Sequence, residues 1–283
     1  MFTSLLRVRR NLGVALYVGV MECELLHPGP THIVAVKCLS LPRALHIRAQ
    51  LGADQAMDDP RQECRVAQLL AQSGGHPHVA GSYFHFEEHQ CLYLVNEFCG
   101  GGDLHDYIAA ASPTHSVDER TSVRIMQQIV AGVDYLHRQL RLAHRDFSLE
   151  NELMHEGTCK ITDFGLSVHA TARCTGRAGK AYYMTPEVVA GVEYDPVKGD
   201  IWSLGIVWFI MLTGSPLVSV ASEHNDAFVS FTQCGVADVL TSWGHDEKLS
   251  AAVINLLAGM LQVNPEERIS LPEIIASTMM AHQ

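Results

Sequence analysis

Four side chains of this 283-residue sequence have the types and spacing to do chemistry on a phosphate. Asp146 and Asn151 stand close together in HRDFSLEN, residues 144–151, and Asp163 follows at the end of the β-rich run GTCKITDFG. Lys37 closes the alternating run THIVAVK. Carboxylate and amide oxygens suit magnesium, which prefers oxygen ligands. A lysine ammonium facing the same cleft suits phosphate oxygens. Brought together, the four describe a phosphoryl-transfer site, where positioning and charge neutralisation supply most of the catalysis. Lys37 alone is as well explained as a snorkelling strand lysine. The company of Asp146, Asn151 and Asp163 favours the catalytic reading.

The elements that must carry these residues are legible in the hydrophobic period. In THIVAVKCL, Ile33, Ala35 and Lys37 fall on one face of a strand and Val34, Val36 and Cys38 on the other. CLYLVNEF reads as a second strand. Between them, DDPRQECRVAQLLAQSGGHP changes to helical spacing through Val66, Leu69 and Leu70, with Asp59 and Pro60 at its start and Gly74-Gly75 at its end. The N-terminal part is thus expected to be a small sheet with one helix. FCGGGDL, Phe98 to Leu104, marks a boundary, giving one lobe over about 1–97, a connector over about 97–102 and a second lobe over about 103–283. That second lobe reads as mainly helical. Val123, Met126, Ile129, Val130, Val133 and Leu136 form one stripe. LSAAVINLLAGMLQ and SLPEIIASTMM give two more helices. IWSLGIVWFIML falls short of the roughly 20 residues of a membrane span and reads as a buried core helix.

Composition narrows the function classes. The chain is 47% hydrophobic, so a sizeable core can be buried. Its formal net charge of −11, without a like-charge run, argues against a nucleic-acid partner and favours encounter with basic peptides. Eight cysteines without a CxxC pair read as reduced, buried thiols of an intracellular protein. The first residues, MFTSLLRVRRNLG, hold no apolar region of secretory length. The location expected is intracellular and cytoplasmic, with the nucleus as the lesser alternative. His76, His78, His85 and His89 lie in a stretch that alternates like a hairpin, and read as surface and turn histidines rather than zinc ligands.

The motifs then fall into a recognisable order: VAVK at 34–37, HRDFSLEN at 144–151, DFG at 163–165, TPE at 185–187, DIWSLG at 200–205 and NPEER at 264–268. In this order and context they are very specific, and the chain resembles a eukaryotic protein kinase over nearly its whole length. GHPHV, YYMTPE and NPEERIS are similar to the serine/threonine branch, nearest the calcium/calmodulin-dependent kinases. The resemblance implies an α+β bilobal protein-kinase fold, with a small β-rich N-lobe and a larger helical C-lobe. It implies ATP and Mg2+ as cofactors and a protein serine or threonine as acceptor. Lys37, tethered by Glu63, would hold the α and β phosphates. Asp146 would orient the acceptor hydroxyl and take its proton, and Asn151 and Asp163 would hold magnesium. Leu12, Gly13, Val20, Ala35, Glu97, Cys99, Asp103 and Leu153 would line the nucleotide site, and Asp103 also suits a helix N-cap. Glu187 and Arg268 would pair to support the large lobe.

The pattern breaks in three places. In GVALYVGV, residues 13–20, Ala15 and Val18 stand where the family has its second and third glycines. Such glycines let backbone amides approach phosphates, so a looser clamp and weak ATP binding are expected. The other reading is that Ala15 and Val18 fit a backbone that is not left-handed. Second, Ser148 stands where serine/threonine kinases usually carry a lysine, and Lys180 stands where they usually carry a threonine, beside that lysine. The expectation is that the ammonium has moved from 148 to 180, with an exposed loop lysine as the rival. Third, Asn96 precedes Glu97 at the back of the adenine site, where it is expected to find local hydrogen-bond partners.

Arg145 beside Asp146 suggests an activation segment ordered by a phosphate, with Thr175 favoured over Thr171 as the target of an upstream kinase. The leading function is a protein serine/threonine kinase acting on a protein substrate, basic by charge complementarity. The alternative is a pseudokinase scaffold with little turnover, supported by the altered glycine loop and Ser148. A small-molecule phosphotransferase ranks third.

Overall fold

The computed structural model describes residues 2–15, 18–26, 30–50 and 58–277. A short helix, α1 (Phe2–Leu5), leads into β1 (Leu6–Ala15), β2 (Val18–Leu25) and β3 (His32–Ser40). Helices α2 (Leu41–Gln50) and α3 (Pro60–Ser73) precede β4 (Ser82–Glu88) and β5 (Cys91–Glu97). The five strands form one antiparallel sheet in the order β1-β2-β3-β5-β4. The alternation read from β3 is obeyed. Val34 and Val36 pack with Leu6, Cys23, Phe86 and Val95 on one face, and Leu39 packs with Ala44, Ala67, Leu92 and Leu94 on the other.

α3 begins and ends where its sequence dictates. The Asp59 carboxylate accepts from the Arg61 amide at 2.9 Å, Pro60 opens the first turn, and Gly74 closes the helix at φ 82°. The expectation of one helix in this lobe is corrected to three among the described residues. α2 escaped notice because it buries only Ala44 fully and carries no strong apolar stripe.

The glycine connector is not a free linker. Gly101 donates to the Met154 carbonyl and Gly102 accepts from the Met154 amide, so it pairs with β7 (Glu152–His155). A Cβ on Gly101 would lie 2.6 Å from the Met154 oxygen, which requires glycine there.

Beyond it run α4 (Leu104–Ala111), α5 (Glu119–Asp134) and a π-helical turn, Tyr135–Gln139. Short pairs follow: β6 (Leu142–Ala143) with β9 (Val168–His169), and β7 with β8 (Thr158–Ile161). The C-terminal helices are α6 (Pro186–Val189), α7 (Pro196–Thr213), α8 (Asp226–Ser242), α9 (Ala251–Met260) and α10 (Leu271–Ala276). On α5 the buried face includes Ile125 and Ser122, while Val123 is only half-buried. α7 is buried continuously from Gly199 to Leu212, the fate of a helix apolar on every side. Among the described residues no helix is long and apolar enough to cross a membrane.

Candidate active site

The catalytic loop hangs from α7. The Asp200 carboxylate accepts from the backbone amides of His144 (2.8 Å) and Arg145 (2.7 Å) and bonds the His137 ring at 2.8 Å. Asp200 is itself buried, so three bonds to its charge fix the loop firmly. Arg145 takes a left-handed φ of 69°, as does Asp163 at 64°. The Asn151 amide nitrogen donates to the Asp146 carbonyl and to its carboxylate, both at 2.8 Å. That turns the Asn151 side-chain oxygen away from Asp146 and frees it for a ligand.

Lys37 bridges the two lobes. Its Nζ donates to Glu63 Oε1 on α3 at 2.7 Å and to Asp163 Oδ1 at 2.9 Å. Burial opposes the ammonium, but Glu63 and Asp163 outweigh it and raise Lys37 above its usual range. Burial also lifts the Glu63 carboxyl to about 7, against the pull of Lys37. At Asp163 burial acts upward too, but Lys37 wins and holds the carboxylate below its usual range.

Ser148 is fully buried, and Lys180 reaches it. Lys180 Nζ donates to Ser148 Oγ at 2.7 Å and to Glu150 Oε2 at 2.9 Å. The backbone permits this because Gly179, at φ 86°, lies flat on the loop. A Cβ there would meet the Arg145 oxygen at 3.0 Å and Asp146 Oδ1 at 3.2 Å. Burial raises the Asp146 carboxyl to about 6, while His144, Lys180 and Asn151 pull it down.

The remaining expected residues divide. Gly13, Val20 and Lys37 stand directly opposite one another across β1, β2 and β3, and so share a face with Ala35. Leu12 falls at an irregularity in the β1–β2 register and is exposed. Cys99 is buried, and Leu153 bridges to Asp103, which caps α4 by accepting from Asp106 at 2.8 Å. The Glu97 carboxylate is committed to the Gly81 amide and Lys160. Ala15 and Val18 pair within the sheet, and Val18 lies in β2 without a left-handed backbone, packed beside Leu39 and Ala67. The hairpin tip, residues 16–17, lies outside the described residues.

One expectation fails. The Asn96 amide has no hydrogen-bond partner among the described residues; it lines a cavity of about 20 Å³ with Glu63 and Ser82. Glu63 Oε2 and Ser82 Oγ there are likewise unpartnered, so three polar groups meet at one small space.

Asn151 and Asp163 fit magnesium by donor chemistry: an amide oxygen whose nitrogen is engaged elsewhere, and a carboxylate held ionised. Asp103, His105 and Asp106 also bring ligand atoms within 4.8 Å of one another, but on the exposed start of α4. Sequence reasoning missed two participants. Glu150 as partner of Lys180 was signalled by its place two residues after Ser148. Tyr194, whose hydroxyl receives the Arg145 guanidinium, lies 49 residues from it and gave no signal.

Comparison with known proteins gives the same picture. The family profile "Protein kinase domain" matches residues 8–280. The chain is 31% identical over 254 residues to the serine/threonine-protein kinase CHK1 of Saccharomyces cerevisiae, covering 87% of this chain and 45% of that one. It is 32% identical to the SNF-related serine/threonine-protein kinase of Rattus norvegicus, covering 75% and 27%. It is 32% identical to calcium-dependent protein kinase 2 of Oryza sativa, covering 81% and 43%. The chain thus spans less than half the length of each of these relatives.

Proposed function

The chain belongs to the protein kinase family, and from that premise we propose that it transfers the γ-phosphate of ATP to a serine or threonine hydroxyl of a protein. The observation that carries this reading is Lys37 bonded at once to Glu63 and Asp163 across the cleft. Lys37 holds the α and β phosphates, and Glu63 keeps it aimed. Asn151 and Asp163 would hold magnesium, which would neutralise phosphate charge. Asp146 orients the acceptor hydroxyl; as its oxygen bonds phosphorus and the bond to ADP breaks, the proton passes to the Asp146 carboxylate. Lys180 supplies the cation that Ser148 does not, since its ammonium already sits on Ser148 Oγ.

Turnover is favoured over a pseudokinase scaffold by the Lys37 contacts to Glu63 and Asp163 and by the Asn151 contact to Asp146. A basic substrate is supported by Asp103 and Asp106 at the start of α4 and by the net charge of −11. Thr175 is exposed and open to an upstream kinase as a modulator. A cytoplasmic location is supported by eight free thiols. The test is magnesium-dependent phosphorylation of a generic basic protein beside an Asp146→Asn control. Transfer should appear with the parent and vanish with the control; equal signals would overturn the reading.

A further inference from the structure

We propose that Tyr194 is the positioning residue for Arg145, and through it for Asp146, so that the segment from Asp163 to Glu187 is held in working shape by a protein hydroxyl rather than by a phosphate. This rests on the kinase reading above for its catalytic consequence, though not for the ordering itself. Arg145 Nε and Nη2 donate to the Tyr194 hydroxyl at 3.0 and 2.8 Å, and Nη1 donates to the Leu166 carbonyl at 3.2 Å. Three of the five guanidinium donors of Arg145 are thereby used, on protein acceptors alone. Its backbone amide is fixed by Asp200, so the side chain and main chain together set the residue that precedes Asp146.

Tyr194 is only 5% exposed and ties the middle of the segment as well. Its amide and carbonyl pair with those of Cys174 at 2.9 and 3.0 Å. Its ring packs with Cys174 and Val188, against which Val168, Ala172 and Met184 also lie. One tyrosine thus joins the start, middle and end of the segment. The other arginines nearby are engaged too: Arg173 with Asp195 at 3.5 Å, and Arg177 with the Val189 carbonyl at 3.1 Å. On the opposite side α3 meets the segment with acid. The Asp59 amide donates to the Gly165 carbonyl at 2.9 Å, and Asp58 packs against Gly165. A phosphate on Thr175 would meet an Arg145 already engaged by Tyr194 and the Leu166 carbonyl.

The test is hydrogen exchange over residues 166–178, with steady-state kinetics, on phosphatase-treated protein. Tyr194→Phe keeps the ring and its packing and removes only the hydroxyl. A bond to a charged donor is worth enough to change local opening about ten- to a hundredfold. We expect exchange in the segment to speed up by that factor in Tyr194→Phe, and kcat to fall, with KM for ATP held within about twofold. Thr171→Ala/Thr175→Ala should match the parent in both readouts. Unchanged protection in Tyr194→Phe would overturn the proposal. So would a phosphatase-treated parent whose segment is unprotected until Thr175 is phosphorylated. If the parent shows no turnover but Tyr194-dependent protection, the kinase reading fails and the tyrosine anchor stands.

Discussion

At the scale of single residues, the exchange between positions 148 and 180 is the sharpest departure of this chain from its family. A catalytic cation need not come from a fixed point in the sequence; it must arrive at a fixed point in space. The ammonium of Lys180 lies 2.7 Å from Ser148 Oγ, and its proposed role is to supply that cation there. Losing one preorganised charge at a developing anion lowers turnover about 10²- to 10³-fold. Lys180→Met should therefore lower kcat by about that factor, and adding Ser148→Lys should restore part of it. Intact turnover in Lys180→Met would sink the relocated charge. A second residue is out of place energetically. Glu152 is fully buried, its Oε1 has no partner among the described residues, and burial raises its carboxyl well above the usual range. Such a group costs about 1–3 kcal/mol. Glu152→Leu is expected to stabilise the protein by about that amount in denaturant melts.

At the scale of elements, α3 is the part that converts packing into chemistry. It carries Glu63, and its start is pinned where Asp59 bonds Gly165. A Cβ on Gly165 would stand 2.9 Å from the Asp58 Cβ, a contact that real side chains do not make. Gly165→Ala should push the start of α3 outward, separate Glu63 from Lys37 and lower kcat; adding Asp58→Gly should recover part of the loss. No recovery would mean that the alanine acts through the backbone of the DFG turn instead. The β1–β2 hairpin makes the opposite point. Val18 is a regular strand residue packed on the sheet, so its side chain serves the fold where a glycine would serve a phosphate. Calorimetry with ATP is expected to show weak binding, and tight binding would remove this expectation.

At the scale of the whole molecule, the large lobe is braced by one buried pair. Arg268 donates to both Glu187 oxygens at 2.8 and 3.1 Å, and also to the Lys198 and Gln262 carbonyls. Breaking one partner of a buried pair strands the other charge, at about 3–5 kcal/mol. Arg268→Met should destabilise by about that amount, while Glu187→Leu/Arg268→Leu should lose less. The sequence by itself determined the strand faces, the caps of α3, the buried helix α7 and the identities of Lys37, Asp146, Asn151 and Asp163. Those depend on local period, turn chemistry and short-range motifs, which neighbouring residues carry. It did not determine α2, whose apolar stripe is too thin to read, or the unpartnered amide of Asn96. It offered Lys180 against Ser148 beside the rival of an exposed loop lysine, and gave no sign that Tyr194 holds Arg145. Those partners are distant along the chain, and no local preference selects them. Only the packing of the segment onto α7 and the catalytic loop fixes which polar groups meet, because a buried donor takes whichever acceptor the fold brings within reach.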